Sequence, residues 1–209
     1  MIRAIFLDVD GTLISFSTHE IPASARRALT QAHERGVRLF IATGRAANDL
    51  GPLEGIPYDG VVSLNGARCV ANDGRVVSLH PIPRADFERA LALSEEQDFA
   101  MGLELEEGVF VNRVTPDVKR VAHMVAHPVP EQTDLRELFG RVECCQLCFY
   151  FDAETQRRVM AELPTLVASR WCPIFADVNV AGIDKATGME EFMRSYGFSA
   201  AEVAARSEE

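Results

Sequence analysis

Residues 6–13 read FLDVDGTL, an apolar run that takes on two carboxylates, Asp8 and Asp10, and then stops at Gly11-Thr12. Together with the residues before it, IRAIFLDVD is a near-continuous hydrophobic stretch, the pattern of a strand covered on both faces. The same texture continues downstream. IPASARRALTQAHERG has Pro22 near its start, Ala25, Ala28, Leu29 and Ala32 at helical spacing, and Gly36 as a C-terminal stop. VRLFIATGR is a second buried strand, and PYDGVVSLNGA a third beyond a turn region rich in Pro and Gly. Strand, helix, strand at this spacing predicts parallel pairing and a doubly wound α/β sheet.

From about Ile82 the pattern changes. PRADFERALALSEEQ reads as a helix, and MGLELEEGVFVNRV as two strands joined by a tight turn at Gly108. A helix around DVKRVAHMVAH, a strand in VECCQLCFYF, a helix around DAETQRRVMAELP and strand-like TLVASRWC and PIFADVNVAG follow. Hairpins mixed with helices predict an α+β module inserted into the α/β domain. KATGMEEFMRSYGF is again an amphipathic helix, with Ala186, Met189, Phe192, Met193 and Tyr196 on one side.

Composition bounds what such a chain can do. With 209 residues and 23.0 kDa it has room for a core domain with a smaller insert, and 47% hydrophobic with 25% charged residues is ordinary for a globular protein. A net charge of -10 argues against a nucleic-acid surface, while leaving room for a small anionic substrate whose site supplies its own cations. No apolar run is long enough to span a bilayer, and MIRAIFLDVDGTL is interrupted by Asp8 and Asp10, so a cytoplasmic protein is expected. Five cysteines, an odd number, give no disulfide framework. Read as a strand, VECCQLCFYF puts Cys145, Leu147, Phe149 and Phe151 on one face and Cys144 with Cys148 on the other, roughly 13 Å apart, too far for one zinc.

In a parallel α/β sheet, ligands bind beyond the carboxyl ends of the strands. Asp8 and Asp10 lie where the first strand ends, and strand alternation places both on one side. Two carboxylates so close repel unless a cation or hydrogen bonds stabilise them, and a divalent ion such as magnesium suits hard oxygen ligands beside a phosphate. Taken alone, a DxD before Gly-Thr is better read as a turn or a cap. Thr-Gly at 43–44 can simply end a strand, Lys185 can be a solvated side chain, Asn65-Gly66 suits a type I′ turn, and Arg45 can face either the site or solvent.

The whole set resembles the haloacid dehalogenase (HAD) superfamily, from Ile2 to about Val203. DVDGTL resembles its motif I, IATGR its motif II through Thr43, Lys185 in AGIDKATG its motif III, and NGA the Asn-Gly loop of the Cof-type branch. The resemblance implies a HAD-like core of residues 1–81 and 176–209 carrying a C2B-type cap of residues 82–175, as in class IIB phosphatases. It implies hydrolysis of a small phosphate ester, a sugar phosphate or related metabolite, through an aspartyl-phosphate. Asp8 would be the nucleophile and Asp10 the general acid/base, with Thr43 and Lys185 completing the catalytic set. Gly11, Gly44, Arg45, Asn65 and Gly66 would lie at the substrate, and Asp8 with the backbone carbonyl of Asp10 would hold Mg2+. The family pattern continues into a strand ending in GDGxND, whose acids complete the metal site; SYGFSAAEVAARSEE does not contain it. Impaired activity, weak magnesium binding and a homo-oligomer covering an exposed sheet edge are the expectations that follow. A phosphomutase and a non-catalytic phosphate-ester binder are the alternatives.

Overall fold

A computed structural model of the chain describes residues 1–15 and 20–207. In chain order it holds β1 (Ala4–Leu7), α1 (Ala23–Glu34), β2 (Arg38–Ala42), β3 (Gly60–Ser63), β4 (Arg68–Ala71) and β5 (Val76–Leu79). Next come α2 (Arg84–Glu96), β6 (Ala100–Leu105), β7 (Gly108–Val111), α3 (Pro116–Met124), the short β8 (Glu131–Gln132) and α4 (Leu135–Phe139). They are followed by β9 (Gln146–Tyr150), α5 (Ala153–Ala161), β10 (Leu166–Cys172), β11 (Phe175–Val180), α6 (Lys185–Tyr196) and β12 (Val203–Arg206). The chain divides into two compact units, Met1–Leu79 with Ile183–Glu209, and His80–Gly182. Among the described residues no helix is long and apolar enough to cross a membrane.

The first unit is built on one six-stranded sheet in the order β12-β1-β2-β3-β4-β5. β12, β1, β2 and β3 run parallel, and β4 and β5 add an antiparallel edge. Alternation along the strands sends Leu7, Leu39, Ile41 and Val61 into one apolar cluster with Leu29 of α1, and Phe6, Phe40, Ala42 and Val62 into another with Phe192 of α6. Both faces are therefore buried, which is why these strands carry apolar side chains without interruption. The second cluster is aromatic at its centre: Phe6 stacks on Phe40 at 4.9 Å between ring centroids, and Phe192 lies 4.7 Å from Phe40. α6 approaches closely because position 188 is Gly; a Cβ there would fall 2.4 Å from Val62 Cγ1.

Three sequence readings are corrected in this unit. No strand was expected beyond the helix of residues 185–198, yet Val203–Arg206 pairs in register from Ala4↔Val203 to Leu7↔Arg206. β1 is thereby an interior strand, and the sheet edge lies at β12. Ala186, placed on the apolar side of α6, is exposed, and so is Ala28 of α1, whose only buried residue is Leu29. The antiparallel pair β4–β5 also escaped notice, since RCVA and VVSL are short and flank the turn ANDG.

The second unit is an α+β module around a sheet in the order β10-β11-β9-β6-β7-β8. Phe87, Ala90 and Leu93 of α2, Leu135 of α4 and Val159 of α5 pack with Leu103, Leu147 and Phe149. Val118 and Val121 of α3 belong to a separate cluster with Cys148, Tyr150 and Phe175. The sequence reading returned residues 176–209 to the first unit, but β11 pairs antiparallel with both β10 and β9, and the division falls at Ile183. All five cysteines are free and buried. Cys144 precedes β9 and joins the cluster of Leu147 and Phe149, so it does not share a face with Cys148 as the alternation reading had it.

Candidate active site

The residues singled out from the sequence meet at the carboxyl ends of β1, β2 and β3. β1 ends at Leu7, so Asp8 is the first residue beyond it, with its backbone N–H still bonded to the Arg206 carbonyl at 3.1 Å. The chain then turns: Leu13 and Ile14 donate to the Val9 carbonyl at 3.0 and 2.9 Å, Gly11 donates to Ile14, and Gly11 takes φ 76°, which suits glycine. Strand alternation therefore does not extend to Asp10, and the two aspartates differ in setting: Asp8 is 8% exposed, whereas Asp10 is open to solvent.

Each carboxylate has its own cation from the chain. Lys185, the first residue of α6, places Nζ 3.0 Å from Asp8 Oδ1. Arg45 grips Asp10 through two parallel bonds, Nε to Oδ2 at 2.9 Å and Nη2 to Oδ1 at 2.8 Å. This fork is the geometry in which guanidinium and carboxylate bind most strongly. It holds the Arg45 guanidinium above its usual pKa, chiefly through the hydrogen bond to Asp10, with burial opposing. The repulsion that made a divalent ion the simplest explanation of DxD is thus already offset by Lys185 and Arg45. Arg45 faces the site, but its guanidinium is occupied by Asp10 and Asp49, so substrate contact is not the role its geometry favours.

Thr43 follows β2 directly and is almost fully buried. Its N–H bonds to the Val62 carbonyl at 2.8 Å, and its Oγ1 accepts from the Arg45 N–H at 3.1 Å. The hydroxyl proton remains available to an anion. In the register Leu7↔Ile41, Asp8 continues alongside Ala42, which sets Thr43 at the neighbouring strand end.

The loop after β3 holds Leu64 (φ 50°), Asn65 (φ 55°) and Gly66 (φ 96°) consecutively in the left-handed region. Asn tolerates this and Gly prefers it, whereas Leu does not, so the local fold overrides preference here. Bonds from Asn65 N–H to the Thr43 carbonyl at 3.1 Å and from Leu64 N–H to the Arg45 carbonyl at 3.1 Å fasten this loop to the one after β2. Gly44 and Gly66 allow the close approach: a Cβ on Gly44 would lie 3.0 Å from Asn65 Oδ1, and one on Gly66 would lie 1.9 Å from the Asp184 carbonyl oxygen. Asp184 caps α6, accepting from the Thr187 N–H at 2.8 Å, and so fixes the start of the helix where Lys185 stands.

A magnesium ion would find a small set of hard oxygens here. Asp8 Oδ2, which accepts from Thr12 Oγ1 at 3.5 Å, and the Asp10 backbone carbonyl suit its preference for oxygen ligands. The Asp10 carboxylate, taken up by Arg45, is not part of that set. Elsewhere, in the second unit, Glu104, Cys148 and Asp177 bring ligand atoms within 4.8 Å of one another.

A model of the haloacid dehalogenase-like hydrolase family matches residues 5–205. YkrA of Bacillus subtilis (strain 168), named as a candidate phosphatase, is 25% identical over 202 residues, covering 94% of this chain and 75% of its own. Among solved structures, BT1666 of Bacteroides thetaiotaomicron, one of the phosphatases of the HAD superfamily, matches with a TM-score of 0.93 and 53% identity over 98% of this chain and 76% of its own. BT4131, an HAD subclass IIB sugar phosphatase, matches with a TM-score of 0.85 and 30% identity over 97% of this chain and 79% of its own. The chain belongs to the haloacid dehalogenase-like hydrolase family and is an enzyme of its phosphatase branch, with an α/β core and an inserted cap.

Proposed function

We propose that the protein is a cytoplasmic, magnesium-dependent phosphatase that hydrolyses small phosphate esters, sugar phosphates or related metabolites, through an aspartyl-phosphate on Asp8. The observation that carries this reading is the 3.0 Å contact between Lys185 Nζ and a buried Asp8, at the end of the first strand and beside Thr43. The Lys185 ammonium beside the Asp8 nucleophile offsets charge when a phosphoryl dianion arrives.

In the first step an Asp8 carboxylate oxygen bonds to phosphorus and the ester P–O bond breaks, while Asp10 gives its proton to the departing alkoxide. In the second, water bonds to phosphorus, Asp10 takes the water proton, and the bond between phosphorus and Asp8 breaks to release inorganic phosphate. The Thr43 hydroxyl and the backbone amide of Gly44 bind phosphoryl oxygens, with the Asn65-Gly66 loop near the substrate. Asp8 and the Asp10 carbonyl would hold magnesium, which when bound would supply charge neutralisation at the phosphoryl group. The second unit, as the cap, chooses the alcohol. The similarity of BT4131, a sugar phosphatase, supports the substrate class.

The experiment is a panel of phosphorylated metabolites assayed for phosphate release across a magnesium titration, with Asp8→Asn as the control. Turnover of sugar phosphates without a bisphosphate activator, rising with magnesium and absent in Asp8→Asn while substrate still binds, is the expected result. Wild-type rates in Asp8→Asn would remove Asp8 as nucleophile, and a requirement for a bisphosphate would make the enzyme a mutase.

A further inference from the structure

The fork between Arg45 and Asp10 does not stand alone. The remaining guanidinium nitrogen, Nη1, points the other way and donates to Asp49 Oδ2 at 3.3 Å and to the Asp49 backbone carbonyl at 3.4 Å. Arg45 is therefore held along both edges: Nε and Nη2 on Asp10, Nη1 on Asp49, four residues further along its own loop. All three side chains are partly open to solvent, at 28% for Arg45, 45% for Asp10 and 33% for Asp49. Ion pairs with that exposure add little to stability. Their effect is on placement. A carboxyl group that must meet an alkoxide in one step and a water in the next needs a fixed position; the turn around Asp10 is anchored by buried Val9, Leu13 and Ile14, but the Asp10 side chain is 45% exposed, so its carboxyl is placed by hydrogen bonds.

We propose that Asp49 is a positioning residue: by anchoring the far edge of Arg45 it fixes where the Asp10 carboxyl stands for proton transfer. This rests on the reading of Asp10 as the proton-handling group. In this role Asp49 acts through Arg45, and the arrangement accounts for an acidic residue four positions after Arg45 in ATGRAANDL.

Leaving groups provide the test. A sugar alkoxide leaves poorly without a proton, whereas p-nitrophenolate leaves unaided, so misplacing Asp10 slows phosphoryl transfer from the sugar ester more than from the aryl ester. The measurement is kcat/KM for p-nitrophenyl phosphate and for the most rapidly hydrolysed sugar phosphate of the panel, in wild type, Asp49→Asn, Asp49→Glu, Arg45→Ala and the double variant Arg45→Ala/Asp49→Asn. Because the Asp49 backbone carbonyl survives every substitution, the loss is partial: the sugar-to-aryl ratio falls about fivefold in Asp49→Asn, the scale of one partly exposed ion pair. Asp49→Glu recovers part of it. Asp49→Asn has no further effect on the ratio once Arg45 is Ala, because it acts through that residue.

Thermal midpoints are taken on the same samples. Equal losses on both esters, an unchanged ratio, or additive effects in the double variant would overturn the proposal. Asp10→Asn separates the two layers of inference. If it leaves the ratio untouched, the role of Asp10 itself falls; if it collapses the ratio while Asp49→Asn does not, only the anchoring role of Asp49 is lost.

Discussion

Gly66→Ala is a severe test of how the site is assembled, because it changes no chemical group in it. Gly66 has φ 96°, and a Cβ there would lie 1.9 Å from the Asp184 carbonyl oxygen, 2.5 Å from its carbon and 3.2 Å from the Lys185 nitrogen. Two costs add. An alanine in the left-handed region is disfavoured by about 1–2 kcal/mol. Moving backbone atoms out of so close an overlap, with no flexible side chain to yield, costs about 1–3 kcal/mol more. The sum, about 2–5 kcal/mol, lowers the thermal midpoint of the first unit by roughly 4–20 °C for a chain of this size. The displaced backbone is the start of α6, and Lys185 Nζ must reach Asp8 from there across 3.0 Å. A shift near 1 Å in a catalytic group costs roughly 100-fold in rate, so turnover falls by about that factor with Lys185 intact. Gly36→Ala is the matched control: φ is 84° but no atom lies within 4 Å, so only the conformational cost applies and turnover is unchanged. Thermal melts and steady-state rates on the two variants decide the matter. Should Gly66→Ala match Gly36→Ala in both, the loop does not set the position of Lys185 and the argument fails.

Lys185→Met removes the ion pair that Lys185 makes with the buried Asp8 carboxylate, and turnover is expected to drop by at least about 100-fold, the scale for losing one charge-stabilising group; rates within tenfold of wild type would remove lysine from the mechanism. Burial pushes the thiol of Cys69 up to about 11 and that of Cys144 to about 12, and all five thiols are buried, so alkylation by iodoacetamide at pH 8 should be slow until denaturant is added; rapid native-state labelling of Cys69 or Cys144 would contradict that. Glu202 is drawn down to about 2 from 4.5 by its bonds to the Ser199 N–H and hydroxyl and by Arg3, a depressed carboxylate whose stabilising contribution is complete above about 4.5 and lost as pH falls toward 2. Acid unfolding of Glu202→Gln should show a weaker dependence on pH in that window, and an unchanged profile would show that the cap on the turn before β12 does not couple to folding.

Much of this was legible in the sequence because parallel strands announce themselves by unbroken apolar runs, and a polar residue straight after such a run has few places to go. Asp8 and Thr43 stand straight after such runs, whereas Lys185 does not and was singled out only through the resemblance of AGIDKATG to motif III. The partner of Asp10 was not: Arg45 is 35 residues away, and nothing in IATGR says whether its side chain turns toward a neighbouring strand end or toward water. Asp49 gave no signal, since its role exists only through Arg45. β11 was misassigned because a strand's alternation is the same in either sheet, and only pairing with β9 and β10 reveals which one it joins. β12 was missed for a related reason: VAAR is short and half-apolar, and its strand character comes from β1 rather than from itself.

The first unit is discontinuous, and this has a consequence during synthesis. Asp8 and Lys185 are separated by 177 residues, so at about 5–20 residues per second roughly 9–35 s pass between making one and making the other. Throughout that interval β1 lacks β12 on one side, and Phe6 and Phe40 lack the Phe192 ring that will cover them. A ribosome-bound chain therefore presents a sticky aromatic face while the second unit emerges, and it can fold that unit from contiguous sequence before its own catalytic site is complete. Chaperone dependence of this enzyme should accordingly track elongation rate downstream of Leu79, and slowing codons there should raise the aggregated fraction even though the amino-acid sequence is untouched.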